Sequence, residues 1–275
     1  MDDLKNLTLK QANEMRKIYT TQENKIKKML EQALIKGNDT TYLKKLLANI
    51  EDEIKILDSY FYSFSQVNLP LIWQEGIKRT DEAINAFEAN FNLEKSFGQV
   101  NTRAIKILAD NTYNGLHTVS VNIGRMSNDF IREIGLKQAR GVVFGSDTWK
   151  QASKQMSAEL KANNFFSVTY KNGSKIPSGA YSEMVARTTP AKAFREATFE
   201  RITGRGYDLI DVIGISADPK SPCVPYQGKT LSITGKTKGF TSYEEATANG
   251  YNHPNCIHTN VFSPKNKELM ININQ

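Results

Sequence analysis

Two cysteines and two of the three histidines lie close together near the end of the chain, in types and spacing that could hold a metal ion. Cys223 stands in Ser221-Pro222-Cys223-Val224-Pro225-Tyr226. His253, Cys256 and His258 stand in His253-Pro254-Asn255-Cys256-Ile257-His258. Thiolate and imidazole are the ligands of tetrahedral zinc, so zinc is the cofactor that this set would take. Prolines beside both clusters would fix the loops that carry the donors. The spacing is not that of a standard finger, because Tyr226 occupies the place of the second thiolate in a Cys-x-x-Cys knuckle. Two other readings stay open here. The cysteines could be buried in facing loops while the histidines cap turns, or Cys223 and Cys256 could form a disulfide after cell lysis.

Other chemistries lack their residues. A zinc deaminase needs His-x-Glu together with Pro-Cys-x-x-Cys, and a zinc protease needs His-Glu-x-x-His; neither pattern occurs. Gly204-Arg205-Gly206 has neither the lysine nor the spacing of a phosphate-binding loop. No catalytic residue is assigned. Glu183 and Arg187 stand four apart on an expected helix and can pair, either as a polar anchor of that helix or as a solvated surface pair. His117 lies alone among helical polar residues and reads as structural.

The elements that must position these groups follow from periodicity. Over residues 9–36 the apolar positions Ala12, Met15, Tyr19, Ile26, Met29 and Ala33 step by three and four, apart from a polar interruption at Gln22. This is a coiled-coil-like seam. Gly37 offers a C-cap, and Asp39-Thr40-Thr41 offers N-cap chemistry. A second helix over 41–66 carries Leu43, Leu46 or Leu47, Ile50, Ile54, Leu57, Phe61 and Phe64. The short connection makes the pair antiparallel, about 40 Å long at 1.5 Å per residue. Pro70 suits the first turn of a third helix over 70–89, and further helices are expected over 99–113, 117–140 and 147–162. After Asn164 the character changes. A β-prone run over 165–170 meets an Asn172-Gly173 hairpin signal. Helices over 180–187 and 190–203 follow, the second with Thr189-Pro190 at its start. Strands over 208–216, 229–233 and 257–262 and a helix over 243–249 complete the chain. The expected fold is α+β: an N-terminal helical hairpin over 1–66, a helical region over 67–164, and a compact C-terminal α+β domain with a small sheet over 165–275.

The net charge of +7 is spread along the chain, which permits contact with nucleic acid without requiring it. The polar, acidic start Met1-Asp2-Asp3-Leu4-Lys5 predicts no signal peptide, and no run is apolar enough for a membrane span.

The C-terminal third carries a resemblance. Val168-Thr169-Tyr170 with Asn172-Gly173, then 181–188, then the 208–216 strand, then Pro222-Cys223 with Gln227-Gly228-Lys229, then His253-Pro254-Asn255-Cys256, appear in an order that resembles the phage minor capsid protein 2 family. That family is similar to the Mu F-like head morphogenesis proteins. Relatives often carry a second cysteine three residues after the first; here that position is Tyr226. The resemblance implies a minor component of a tailed bacteriophage head, working beside the portal in capsid assembly and in DNA packaging or delivery, with no catalytic activity. The implied partners are the portal protein, capsid or scaffolding proteins and phage DNA, with no membrane anchor. The implied location is the virion, in the head interior or at the portal vertex, after assembly in the host cytoplasm. Two other functions compete with it. One is a nucleic-acid-binding packaging factor, motivated by the basic balance and Lys220, Lys229, Lys236 and Lys238. The other is a zinc-dependent hydrolase acting on the host, motivated by the Cys/His cluster.

Overall fold

Wherever apolar residues recur every three or four positions, the chain is helical. A computed structural model describes residues 2–36, 39–90, 102–144, 146–162, 165–216, 218–253, 256 and 258–267, with the backbone alone for 2–7 and 138–149. In chain order the elements begin with α1 (Asp2–Ile35), α2 (Thr40–Ser63), a π-turn (Phe64–Asn68), α3 (Leu69–Asn90), α4 (Thr102–Phe144) and α5 (Ser146–Lys161). Strands β1 (Ser167–Thr169) and β2 (Lys175–Pro177), α6 (Ser178–Gly204) and β3 (Leu209–Ile213) follow. A 3-10 turn (Val224–Tyr226), β4 (Thr230–Ser232), α7 (Tyr243–Ala248) and β5 (Thr259–Phe262) come last. Helix takes up 72% of the protein, so the α+β class here means small antiparallel sheets in a mainly helical chain. Gly37, Gln99, Asn164, Pro254, Asn255 and Ile257, which carried expectations above, fall outside the described residues.

The chain divides into two units that interleave along the sequence. One, here the helical unit, comprises Leu9–Gln66 and Asn111–Ala186. The other, the strand-bearing unit, comprises Met1–Thr8, Val67–Asp110 and Arg187–Gln275.

In the helical unit the α1 seam is Ala12, Met15, Tyr19, Gln22, Ile26, Leu30 and Ala33, all buried. Gln22 therefore stays in the seam, and Leu30 takes the place expected for Met29, which is only half-buried. On α2 the buried side chains are Leu43, Leu46, Ile50, Leu57 and Phe61. Asp39 caps this helix, its carboxylate accepting from the Tyr42 N–H at 2.9 Å. Lys25 reaches Glu53 at 3.0 Å, and Tyr42 donates to Gln32 at 3.3 Å, as an antiparallel pair requires. The hairpin β1–β2 pairs Val168 with Ile176 around the Asn172-Gly173 turn, where Gly173 takes φ 81°.

Two expected helix breaks are absent. The first lay between 113 and 117, yet α4 runs unbroken from Thr102 to Phe144. Gly115 there is not a breaker: a Cβ at that position would lie 2.9 Å from the Tyr181 hydroxyl, so the missing side chain makes room for a neighbour. The second was at Thr189-Pro190. Instead α6 is one helix with Pro190 inside it. A proline there loses one hydrogen bond and crowds the preceding turn, at a cost of about 3 kcal/mol. Pro190, Ala193, Ala197 and Ile202 are all buried on this helix, and burial outweighs the local preference. The expected gap before Pro70 is also filled, by the π-turn, a wider turn that accommodates an interrupted hydrogen-bond ladder.

The strand-bearing unit is built on a three-stranded antiparallel sheet in the order β4-β3-β5. Ile210 on β3 stands opposite Leu231 on one side and Phe262 on the other. These residues share a core with Ile84 and Phe87 of α3, Ile202 of α6, Ala246 of α7, Tyr207 and Tyr251. The α3 and α6 backbones approach closely at Gly76, where a Cβ would stand 2.9 Å from that of Ala197. Beside this core runs a buried polar chain. Arg205 donates to Glu88 at 2.8 Å and to Asn85 at 2.9 Å, and Tyr207 donates to the other Glu88 oxygen at 3.0 Å. Arg201 and Arg205 both bond Asp81, at 2.6 and 3.2 Å. Burial and the bond to Glu88 push the Tyr207 phenol up to about 12.

Candidate metal centre

Two loops of the strand-bearing unit bring the Cys/His residues together. The chain leaves β3 and reaches Cys223 at the head of the 3-10 turn, where the Tyr226 N–H returns to the Cys223 carbonyl at 3.1 Å. The second loop, between α7 and β5, carries His253, Cys256 and His258. It enters through Gly250, at φ 93°, where a Cβ would lie 2.6 Å from that of Pro222 in the first loop. Only glycine permits both that dihedral and that approach. Asn252 follows at φ 59°. Its side chain accepts from Arg195 at 2.7 Å and donates to the Tyr243 hydroxyl at 2.9 Å, which fixes the turn before His253. The Cys256 N–H then closes on the His253 carbonyl at 2.9 Å.

The donor atoms of Cys223, His253 and Cys256 all lie within 4.8 Å of one another. His253 Nε2 is 3.2 Å from the Cys223 sulfur, and the Ser221 hydroxyl lies 3.0 Å from the same nitrogen and 3.1 Å from that sulfur. Zinc–sulfur bonds of about 2.3 Å and zinc–nitrogen bonds of about 2.0 Å, set tetrahedrally, separate donors by roughly 3.5–3.8 Å. The three side chains are thus close to the spacing a single ion needs. His258 stands apart from this three-residue group. Its Nδ1 is 3.3 Å from the Cys256 sulfur, while its buried Nε2 has no hydrogen-bond partner among the described residues. Nδ1 is thus the His258 nitrogen that faces the cluster, beside one of its two thiols, and the unpartnered Nε2 lies on the other side of the ring.

The surroundings are aromatic. Tyr226 lies 5.5 Å from Tyr251, centroid to centroid, and Tyr251 lies 6.0 Å from Tyr243 and 6.1 Å from His258. Tyr226, in place of a second knuckle cysteine, therefore serves the wall of the site. Burial pushes the Cys256 thiol up, with the neighbouring Cys223 adding to it; burial, then the charge of His253, pushes the His258 imidazole down. Both cysteines are free thiols in this structure. Ligation by Cys256, whose thiol burial pushes up, would release its proton.

The structure treats the other expected residues differently. Glu183 on α6 receives a two-pronged contact from Arg16 of α1, with Arg16 Nε at 2.8 Å from Oε2 and Nη2 close to Oε1. This partner is 167 residues away, and sequence spacing gives no sign of it. Arg187 is half-buried one turn later on α6, in the strand-bearing unit. His117 is not isolated. Its Nδ1 lies 2.8 Å from Asp58, whose other oxygen accepts from the Tyr113 hydroxyl at 3.0 Å.

The family model for phage minor capsid protein 2 matches residues 4–264, nearly the whole chain. The chain belongs to that family. The match extends well beyond the C-terminal third that carried the resemblance and takes in both units. As a phage minor capsid protein 2 member, the chain is a structural component of a phage virion and works among other head proteins. No curated protein matches it, and no solved structure does. Among the described residues, no helix is long and apolar enough to cross a membrane.

Proposed function

We propose that this minor capsid protein sits at the portal vertex or against the inner face of the head of a tailed phage, where it acts in head assembly as a structural rather than catalytic protein. The observation that carries this reading is the family match over 4–264. Support comes from the build of the helical unit, whose paired α1 and α2 offer a long polar flank to the portal protein and to capsid or scaffolding proteins. The same placement brings the protein to phage DNA during packaging or delivery. Quantitative mass spectrometry of purified particles tests it. A low, fixed copy number relative to the major capsid protein, with cross-links from α1 or α2 to the portal, is the expected result. Absence from both mature and precursor heads overturns it.

The Cys/His group belongs to this reading as a structural zinc centre. Cys223, His253 and Cys256 would hold the ion, with His258 beside Cys256 as the fourth donor. Bound zinc would join the two loops and so brace one end of the strand-bearing unit. Metal analysis of protein purified without chelators should give about one zinc per chain, lost in a Cys256→Ser variant. Metal-free protein that melts at the same temperature with and without added zinc would remove this part of the reading.

A further inference from the structure

One face of α5 is an exposed basic surface. Lys150, Lys154 and Lys161 are exposed on it, with Ser153 and Ser157 between them. At 100° per residue, Lys150, Lys154, Ser157 and Lys161 fall within an arc of about 60°. The three lysines, the two serines and Ala158 line a shallow depression of ≈ 510 Å³. None of the three ammonium groups has an acidic partner among the described residues, whereas Lys25, Lys27, Lys55, Lys137 and Lys192 each do. Among the residues of this helix whose side chains are described, the one acid, Glu159, projects from the opposite side and accepts from Gln155 at 3.2 Å. Met156 and Leu160 are buried, so the helix is anchored by another face and the lysines stay outward.

We infer that this face of α5 binds the phosphate backbone of double-stranded DNA. The inference rests on the proposed virion role, which puts the protein beside packaged DNA, and adds the surface that touches it. B-DNA carries one negative charge per ~1.7 Å of axis, and the stripe from Lys150 to Lys161 is about 16 Å long, so it faces several phosphates at once. Lysine supplies point charges and serine supplies hydroxyl donors, both suited to phosphate oxygens. No aromatic side chain lines the depression, so the base stacking of single-strand binders has no platform here. Recognition by this face is therefore independent of sequence. The lysines singled out from the sequence, Lys220, Lys229, Lys236 and Lys238, lie instead on loops of the strand-bearing unit, with Lys229 over the Tyr226 ring.

Fluorescence anisotropy with the full chain and a random-sequence duplex of ~20 base pairs tests this. Three phosphate contacts predict a slope of log affinity against log salt of about −2.7, hence a loss of about 40-fold from ~50 to ~200 mM salt. The Lys150→Gln/Lys154→Gln/Lys161→Gln variant should keep its helical circular dichroism and melting temperature, weaken at least ~10-fold at low salt and lose most of the slope. A Lys236→Gln/Lys238→Gln variant should bind like the parent. Loss of binding in that control with none in the triple variant overturns the assignment. So does an undetectable parent affinity at low salt. Stronger competition by polyglutamate than by duplex at equal charge also overturns it, and points to an acidic protein partner. Particle composition is read separately, so a protein present in heads but unable to bind duplex refutes the α5 surface and leaves the virion role standing.

Discussion

In the helical unit, the buried face of α1 is a row of apolar side chains interrupted by the uncharged Gln11 and Gln22, and its ion pairs, such as Lys25 with Glu53, lie at the surface. In the strand-bearing unit, the core of Ile84, Phe87, Ile210 and Phe262 adjoins a buried carboxylate, Glu88, clasped by Arg205 and Tyr207. The first arrangement tolerates polar change at its rim and resists apolar truncation poorly. The second depends on charges that are matched only in the folded state. A carboxylate taken out of water must keep its partners, and losing one leaves a desolvation cost with nothing to offset it.

The contrast is broken most severely at Arg205. Arg205→Ala leaves Glu88, 1% exposed, without its guanidinium and should cost about 4 kcal/mol in urea unfolding. The Glu88→Gln/Arg205→Met double variant should recover most of that loss. A single-variant cost below ~1 kcal/mol would erase the distinction between the units. Next comes Leu57→Ala in the apolar seam, at about 3 kcal/mol, with amide exchange quickening first in α1 and α2.

A smaller effect tests the polar side of the comparison by pH. Burial alone would raise the Asp208 carboxyl, yet bonds from the Ser232 and Thr237 hydroxyls and from Thr234 hold it below its ordinary value. A carboxyl lowered on folding adds stability that is full above its unfolded value of about 3.9 and is lost as pH falls through the folded value. Asp208→Asn should therefore be less stable than the parent at neutral pH by about 1–2 kcal/mol, and the gap should narrow below pH ~4. Thermal melts of both proteins across that range check it, and a gap that widens in acid contradicts the assignment. Smallest of all is Lys25→Ala, expected to cost under ~1 kcal/mol and to cost still less in high salt.

The same contrast governs what could be read before the structure. Apolar spacing gave away α1 and α2 because a helix face repeats every three or four residues, and the Asn172-Gly173 turn was legible from its dihedral demand. The two false breaks, between 113 and 117 and at Thr189-Pro190, came from local sequence preference alone. Tyr181 and the burial around α6 lie far away in sequence or outside any single element. That the loop cysteines and His253 come together was legible from their types and spacing, whereas their role as metal donors stays a proposal. The polar clasp of Glu88, Arg205 and Tyr207 was not, since its partners are 117 and 119 residues apart and follow no period. Nor was the tie of Asp58 to His117, for the same reason. The lysines of α5 were visible as residues, but their exposure on a common face and the lack of acidic partners among the described residues required the side-chain contacts.

The interleaving of the two units has a consequence for how the protein is made. The helices of residues 9–66 leave the ribosome early, yet their unit is completed only by 111–186, and Arg16 meets Glu183 only when that stretch has emerged. At ~5–20 residues per second, the wait is on the order of 10 s. During it the apolar seam of the nascent hairpin has no cover beyond its own partner helix, which exposes it to chaperones and to other nascent chains. The strand-bearing unit draws on 1–8 and 67–110 and cannot close until 187–275 has emerged. The helical unit can therefore close before the strand-bearing unit has all of its chain.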